Sequence, residues 1–156
     1  MRYHLLTLFV CLLAVSAVSQ TKSTKKMMAP GAPDKALMDK IWAGWSTLNP
    51  DNVAQYYAKG NHTFFDIAPL KYSSWDEYQT GVRKELADYK SAACTVNDDA
   101  QVHQVGDTAW GSATVKCDMM HTSGKREIGQ YRWTVIWQKE DGKWLTVHEH
   151  VSQPIE

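Results

Sequence analysis

No sign of charge dominates this chain of 156 residues: Lys plus Arg and Asp plus Glu come to 17 each. Without a basic run it lacks the electrostatic footprint of a nucleic-acid binder, and without an acidic run it lacks a disordered acidic tail. Cysteines are scarce, three in all, too few for a disulfide-dense scaffold. Long apolar runs are missing too. The one candidate, Leu5–Val15, is too short to span a bilayer. There is no internal repeat and no low-complexity tract, which removes solenoids and arrays. No nucleophile elbow, phosphate loop or dinucleotide fingerprint occurs, so nucleophilic hydrolysis and nucleotide chemistry lose their usual carriers.

What is present begins with a targeting pattern. Arg2 and His4 precede the apolar run, and the small residues of Ser16-Ala-Val-Ser19 follow it. This is the layout of a signal peptide over residues 1–19, with cleavage expected between residues 17 and 20 and a secreted or periplasmic product. Cleavage removes only Arg2 among the charges, and it removes Cys11. Cys94 and Cys117 remain, and in an exported protein two cysteines invite a bond. If the turn between them centres near Val105-Gly106-Asp107, they lie almost opposite on a hairpin. A slip of one residue makes them diagonal or puts them on opposite faces.

Residues 20–33, rich in Lys, Ser, Thr, Met, Pro and Gly, read as a flexible linker, which leaves one domain over residues 34–156. Asp34 is a plausible N-cap for a helix reaching about Leu48, since Leu37, Met38, Ile41, Trp42, Trp45 and Leu48 recur at helical spacing. Asn49-Pro50 then predicts a second helix, with Val53, Tyr56 and Tyr57 on its apolar face and Gly60 at its end. A strand over 62–67 follows. Ser74-Trp-Asp-Glu77 matches a capping box that opens a third helix. From Ala92 onward the chain alternates like strand, with segments 94–104, 108–121, 127–139 and 143–153 separated by turns at Val105-Gly-Asp107, Ser123-Gly-Lys125 and Asp141-Gly142. Helices first and a meander last specify an α+β fold, with helices on one face of a curved sheet and a conical cavity between them.

Seven Trp and seven Tyr are many for this length, and such side chains suit cavities and interfaces equally. The last strand concentrates the chemistry. In strict alternation Trp144, Thr146, His148, His150 and Ser152 share one face, and Leu145, Val147, Glu149 and Val151 share the other. Two imidazoles beside indoles and hydroxyls make a candidate pocket wall, with His150 as general base or hydrogen-bond donor. The alternative is histidines in a structural pocket or at a dimer interface. His-x-His on a strand can ligate zinc, but no third ligand is fixed by spacing, and no metal is expected. Asp66 follows two Phe residues. If buried, it is a carboxylate with a raised pKa suited to moving a proton, and otherwise it caps a turn. Arg132, between Tyr131 and Trp133, would be costly to bury alone, so it either pairs with a carboxylate such as Asp66 or Glu149 or binds an anionic substrate. Trp42, Tyr56, Trp133 and Trp137 could line a cavity for a flat apolar ligand, or could simply be core.

Several stretches together resemble a known family. They are Trp42-Ala-Gly-Trp45, Asn52-Val-Ala-Gln-Tyr-Tyr57, Phe64-Phe-Asp66-Ile, Gly106-Asp-Thr-Ala-Trp110, Arg132-Trp-Thr-Val135, Asp141-Gly-Lys-Trp144 and Val147-His-Glu-His-Val-Ser152. The pattern is similar to the SnoaL-like and ketosteroid-isomerase-like members of the nuclear transport factor 2 superfamily. It covers Asp34 to Ile155, and the closing strand is its most specific part. The resemblance implies a cystatin-like cone of three N-terminal helices on a curved, mostly antiparallel sheet. It also implies a small, partly apolar ligand, a homodimer, and isomerase- or cyclase-type chemistry without a cofactor. The superfamily also hosts binding and oligomerisation modules, so the fold leaves the activity open.

Overall fold

The computed structural model describes residues 31–155. The signal peptide and most of the linker expected from the sequence lie outside the described residues. Helix α1, Lys35–Trp45, starts where Asp34 accepts a 2.9 Å hydrogen bond from the Leu37 amide. It buries Met38, Ile41 and Trp42, spaced for one helical face. Helix α2, Trp75–Leu86, is capped by Ser74, whose Oγ accepts from the Glu77 amide at 3.2 Å, while Glu77 reaches back to the Ser73 amide at 2.8 Å. Its buried face is Trp75, Tyr78 and Val82.

The second helix expected after Asn49 does not form as an α-helix. Asn49 does cap a turn there, but residues 50–56 make two short 3-10 turns, Pro50–Asn52 and Ala54–Tyr56. So short a segment gains little from helical propagation. Tertiary pairing also pulls its end out of the helix: Tyr57 is extended, forms a parallel bridge to Thr146, and the Ala58 amide donates to the Thr146 carbonyl at 3.0 Å.

Six strands make one sheet: β1 Phe64–Phe65, β2 Tyr89–Val96, β3 Gln101–Val105, β4 Thr108–His121, β5 Arg126–Glu140 and β6 Lys143–Ser152. The order is β1-β6-β5-β4-β2, with β3 also paired to β4. The sheet is mixed, because β1 runs parallel to β6. The expected strand over 62–67 shrinks to two residues, since Asp66 turns away and ties its Oδ1 to the next amide, that of Ile67, at 2.8 Å. The expected strand 94–104 splits into β2 and β3 around a polar kink. Thr114 of β4 holds this kink: Asp99 accepts from its amide and hydroxyl at 3.0 and 2.8 Å, and the Asn97 amide group donates to its hydroxyl at 2.8 Å.

Cys94 and Cys117 stand directly opposite in the β2–β4 register and are joined as a disulfide. Tyr131, Trp133, Val135 and Trp137 of β5 face the helices and fill the core with Met38, Ile41, Phe64, Trp75 and Tyr78. Gly111 lets the Trp137 ring lie flat on β4, where a Cβ would meet that ring at 3.0 Å.

Candidate functional site

Between α1, α2 and the inner face of the sheet lies a cavity of about 400 Å³. Its deep end holds Glu149, 1% exposed, on β6. The Trp133 indole N–H donates to Glu149 Oε2 at 2.9 Å, and the Tyr57 hydroxyl lies 3.0 and 2.9 Å from its two oxygens. Tyr57 in turn accepts from the Trp45 indole at 3.1 Å. Tyr57 stacks on Trp75 at 4.4 Å between ring centroids, which fixes its position. Burial pushes the Glu149 carboxyl above the usual range, and hydrogen bonds from Tyr78, Trp133 and Tyr57 restrain the rise. The Tyr57 hydroxyl is itself pushed well up, first by burial and then by the charge of Glu149.

Asp66 stands on the same wall, half-buried. Tyr78 from α2 points its hydroxyl at Asp66 Oδ2, 3.4 Å away. Burial raises the Asp66 carboxyl to about 7. The Ile67 amide opposes the rise, and the nearby charges of Glu149 and Glu85 add to it. Two carboxyls with shifted affinities, linked through tyrosine hydroxyls, are the components of a proton-transfer site. Nearer the rim, His121 and Glu127 are paired at 3.0 Å. Among the described residues no cluster of His, Cys, Asp and Glu is arranged to hold a metal.

The structure brings together only part of the set marked in the sequence. Asp66 and Trp42 line the cavity, and Trp133 anchors Glu149 from behind. Trp137 is fully buried core away from the cavity lining, and Tyr56 packs against the edge of the core. His148 and His150 lie on the outer face of the sheet. There Phe65 packs edge-on to both, at 5.4 and 5.8 Å, and His148 Nδ1 meets the Thr63 carbonyl at 2.7 Å. The cause is a bulge. Ile136 pairs with His148 but the next residue, Trp137, pairs with Thr146, so Val147 is the extra residue. Strict alternation from Trp144 therefore fails at Val147, Thr146 and Glu149 both point inward, and the histidines turn outward. Arg132 is exposed on the same outer face, next to inward Trp133, and among the described residues it makes no salt bridge with Asp66 or Glu149.

Glu149, Tyr57 and Tyr78 are the site residues that sequence reasoning missed as chemistry. Only a bulge in β6 puts Glu149 inside, and no residue type in Leu145–His148 marks one in the sequence.

Residues 35–156 match the model of the SnoaL-like domain family. No curated protein matches the chain in sequence. Solved structures agree on the fold. A nuclear transport factor 2-like superfamily protein from Salmonella enterica is 13% identical with a TM-score of 0.69, over 78% of this chain and 88% of that one. A candidate calcium/calmodulin dependent protein kinase II association domain from Xanthomonas campestris is 24% identical with a TM-score of 0.68, over 85% and 96%. A candidate ketosteroid isomerase from Shewanella frigidimarina is 22% identical with a TM-score of 0.62, over 75% and 92%. At these identities the likeness is one of fold.

Proposed function

The chain belongs to the SnoaL-like domain family, and on that premise we propose that its conical cavity binds a small, partly apolar molecule and moves a proton on it with the chain's own carboxyls. The observation that carries this reading is the pairing of Asp66, raised to about 7, with buried Glu149 across the hydroxyl of Tyr78. A carboxyl near 7 is poised as a base at neutral pH. In this mechanism Asp66 takes a proton next to a carbonyl, and the Tyr78 hydroxyl donates to the developing oxyanion. Arg132, exposed on the far face, is not among the residues that line the cavity. The isomerase-like neighbour supports this class of chemistry by analogy of fold.

The test is α-proton exchange of cyclic enones in D2O, followed by NMR. The protein should accelerate exchange above the buffer rate, and Asp66→Asn should remove about 10²–10⁴-fold of the acceleration. Exchange at the buffer rate across the panel, or full activity in Asp66→Asn, refutes the assignment.

Export fits the disulfide, which persists in oxidising compartments. Homodimerisation through the outer sheet face is part of the same proposal. Trp110 and Ile128 are 42% and 56% exposed there, and the association-domain neighbour supports an assembling fold. Sedimentation should find a dimer that Ile128→Glu splits, and a monomer in the wild type rejects it.

A further inference from the structure

The cavity wall has an unusual charge pattern. Glu149 lies at its base, Asp66 on its side, and Glu85, Asp88 and Glu127 toward its rim. Among the described residues that line it there is no Lys and no Arg, and His121, the one imidazole, is already paired with Glu127 at 3.0 Å. Trp42, Trp45, Tyr78, Tyr89 and Tyr131 supply much of the remaining surface. Acidic groups come from the loop after β1, from α2 and the turn after it, from β5 and from β6, and of the helices and strands that line the cavity only α1, β2 and β4 contribute none. In a concave, partly dry site such fields are focused rather than screened.

We propose that this cavity selects an organic cation, a protonated amine on a small apolar or aromatic body, over neutral and anionic molecules of the same shape. The inference rests on the reading that small molecules bind here and adds their charge class. An anion would enter a site of five carboxyls with no free cation to receive it. A neutral ligand would dry the cavity and leave those carboxyls uncompensated. An ammonium supplies the missing positive charge to Asp66 and Glu149, and the indole and phenol faces suit both its apolar body and its charge.

Linkage gives the proposal a second signature. Burial raises Asp66, Glu85 and Glu149 in the free protein. A bound cation favours their ionised forms and lowers them again, so binding must release protons and must strengthen as pH rises through about 7. Tyr78 stays protonated throughout, because burial and the charges of Asp66 and Glu149 hold it far up.

The test uses three probes of matched shape in calorimetric titrations at pH 7.5: 4-phenylbutylamine, 4-phenylbutanol and 4-phenylbutyrate. The amine should bind at least tenfold more tightly than the alcohol, and the butyrate at least tenfold more weakly. Titrations in buffers of different ionisation enthalpy should show proton release with the amine alone. Asp66→Asn and, on the exposed face of α2, Glu85→Gln should each weaken the amine several-fold, and by more than they weaken the alcohol. An alcohol that binds as tightly as the amine overturns the charge selection while leaving the cavity reading intact. Amine binding insensitive to both substitutions overturns the placement in this cavity. No binding by any probe at millimolar concentration overturns both readings together.

Discussion

The buried Glu149 carboxylate makes a prediction that separates hydrogen bonding from charge. In Glu149→Ala, Trp133 and Tyr57, both almost wholly buried, lose their acceptor. Each orphaned donor costs about 1–3 kcal/mol, offset in part because a carboxylate no longer has to be desolvated. A net loss of about 3 kcal/mol follows, a large share of the 5–15 kcal/mol typical of a domain, by the same order-of-magnitude reasoning. Glu149→Gln is different. Both donors lie 2.9 Å from the same oxygen, Oε2, so an amide oxygen placed there keeps both bonds. Its NH2 then takes the Oε1 position, 3.0 Å from the Tyr57 oxygen. The cost at pH 5 should stay below about 1 kcal/mol.

The pH dependence has a definite sign. Because the fold raises Glu149, its contribution to wild-type stability is full below the unfolded value and is lost as pH rises through the folded one. Gln has no such loss, so Glu149→Gln should gain on the wild type between pH 5 and pH 8. Urea unfolding followed by tryptophan fluorescence measures all three proteins at both pH values. With a slope of about 1.5 kcal/mol per molar urea, Glu149→Ala should lower the midpoint by about 2 M. Equal midpoints for Ala and Gln at both pH values refute the hydrogen-bond argument. A Gln variant that declines with pH as steeply as the wild type refutes the charge argument.

Three further outcomes are expected. Asp66→Asn should stabilise the protein increasingly from about pH 4 to 8, because the raised carboxyl makes the wild type lose stability on ionising; three pH units correspond to about 4 kcal/mol, and water at the cavity mouth reduces this to about 2 kcal/mol, readable in melts at the two extremes. The Cys94–Cys117 bond, spanning 23 positions, should contribute about 3 kcal/mol by restricting the unfolded chain, and Cys94→Ser/Cys117→Ser melts check the value; two alkylatable thiols in the native protein would reject the bond itself. Ser74→Ala should cost about 1 kcal/mol through the lost Glu77 amide bond, and chemical denaturation would show it.

The sequence carried the parts of this protein that are local. Asp34 and Ser74 announced the starts of α1 and α2, because a cap needs only a side chain and an amide three residues on. Gly106, Gly124 and Gly142 mark the hairpin turns, where positive φ suits glycine. Asp66 stood out as a carboxylate in an apolar strand. The opposition of Cys94 and Cys117 was legible only approximately: counting on from the Gly106 turn in the β3–β4 register puts Cys94 opposite Met119, and the kink between β2 and β3 shifts the pairing by two residues to Cys117.

Only tertiary structure decided which face each residue of β6 presents. Alternation is a local rule, and the extra residue at Val147 comes from fitting β6 against the twisted β5 on one side and Tyr57 on the other. That one insertion moved His148 and His150 to the outer face and put Glu149 between Trp133 and Tyr57. Arg132 and Trp133 illustrate the converse. As neighbours on one strand they cannot both face the cavity, and the pleat gave the inside to the indole, which is far cheaper to bury than a guanidinium. Tyr57 was legible only as an apolar helix residue, yet its partner Glu149 lies 92 positions away. The sequence by itself determined the two-layer α+β plan, because caps, turns and periodicity act over a few residues. The cavity's chemistry depends on contacts between distant segments, and there one bulge sets the identity of every inward side chain beyond it.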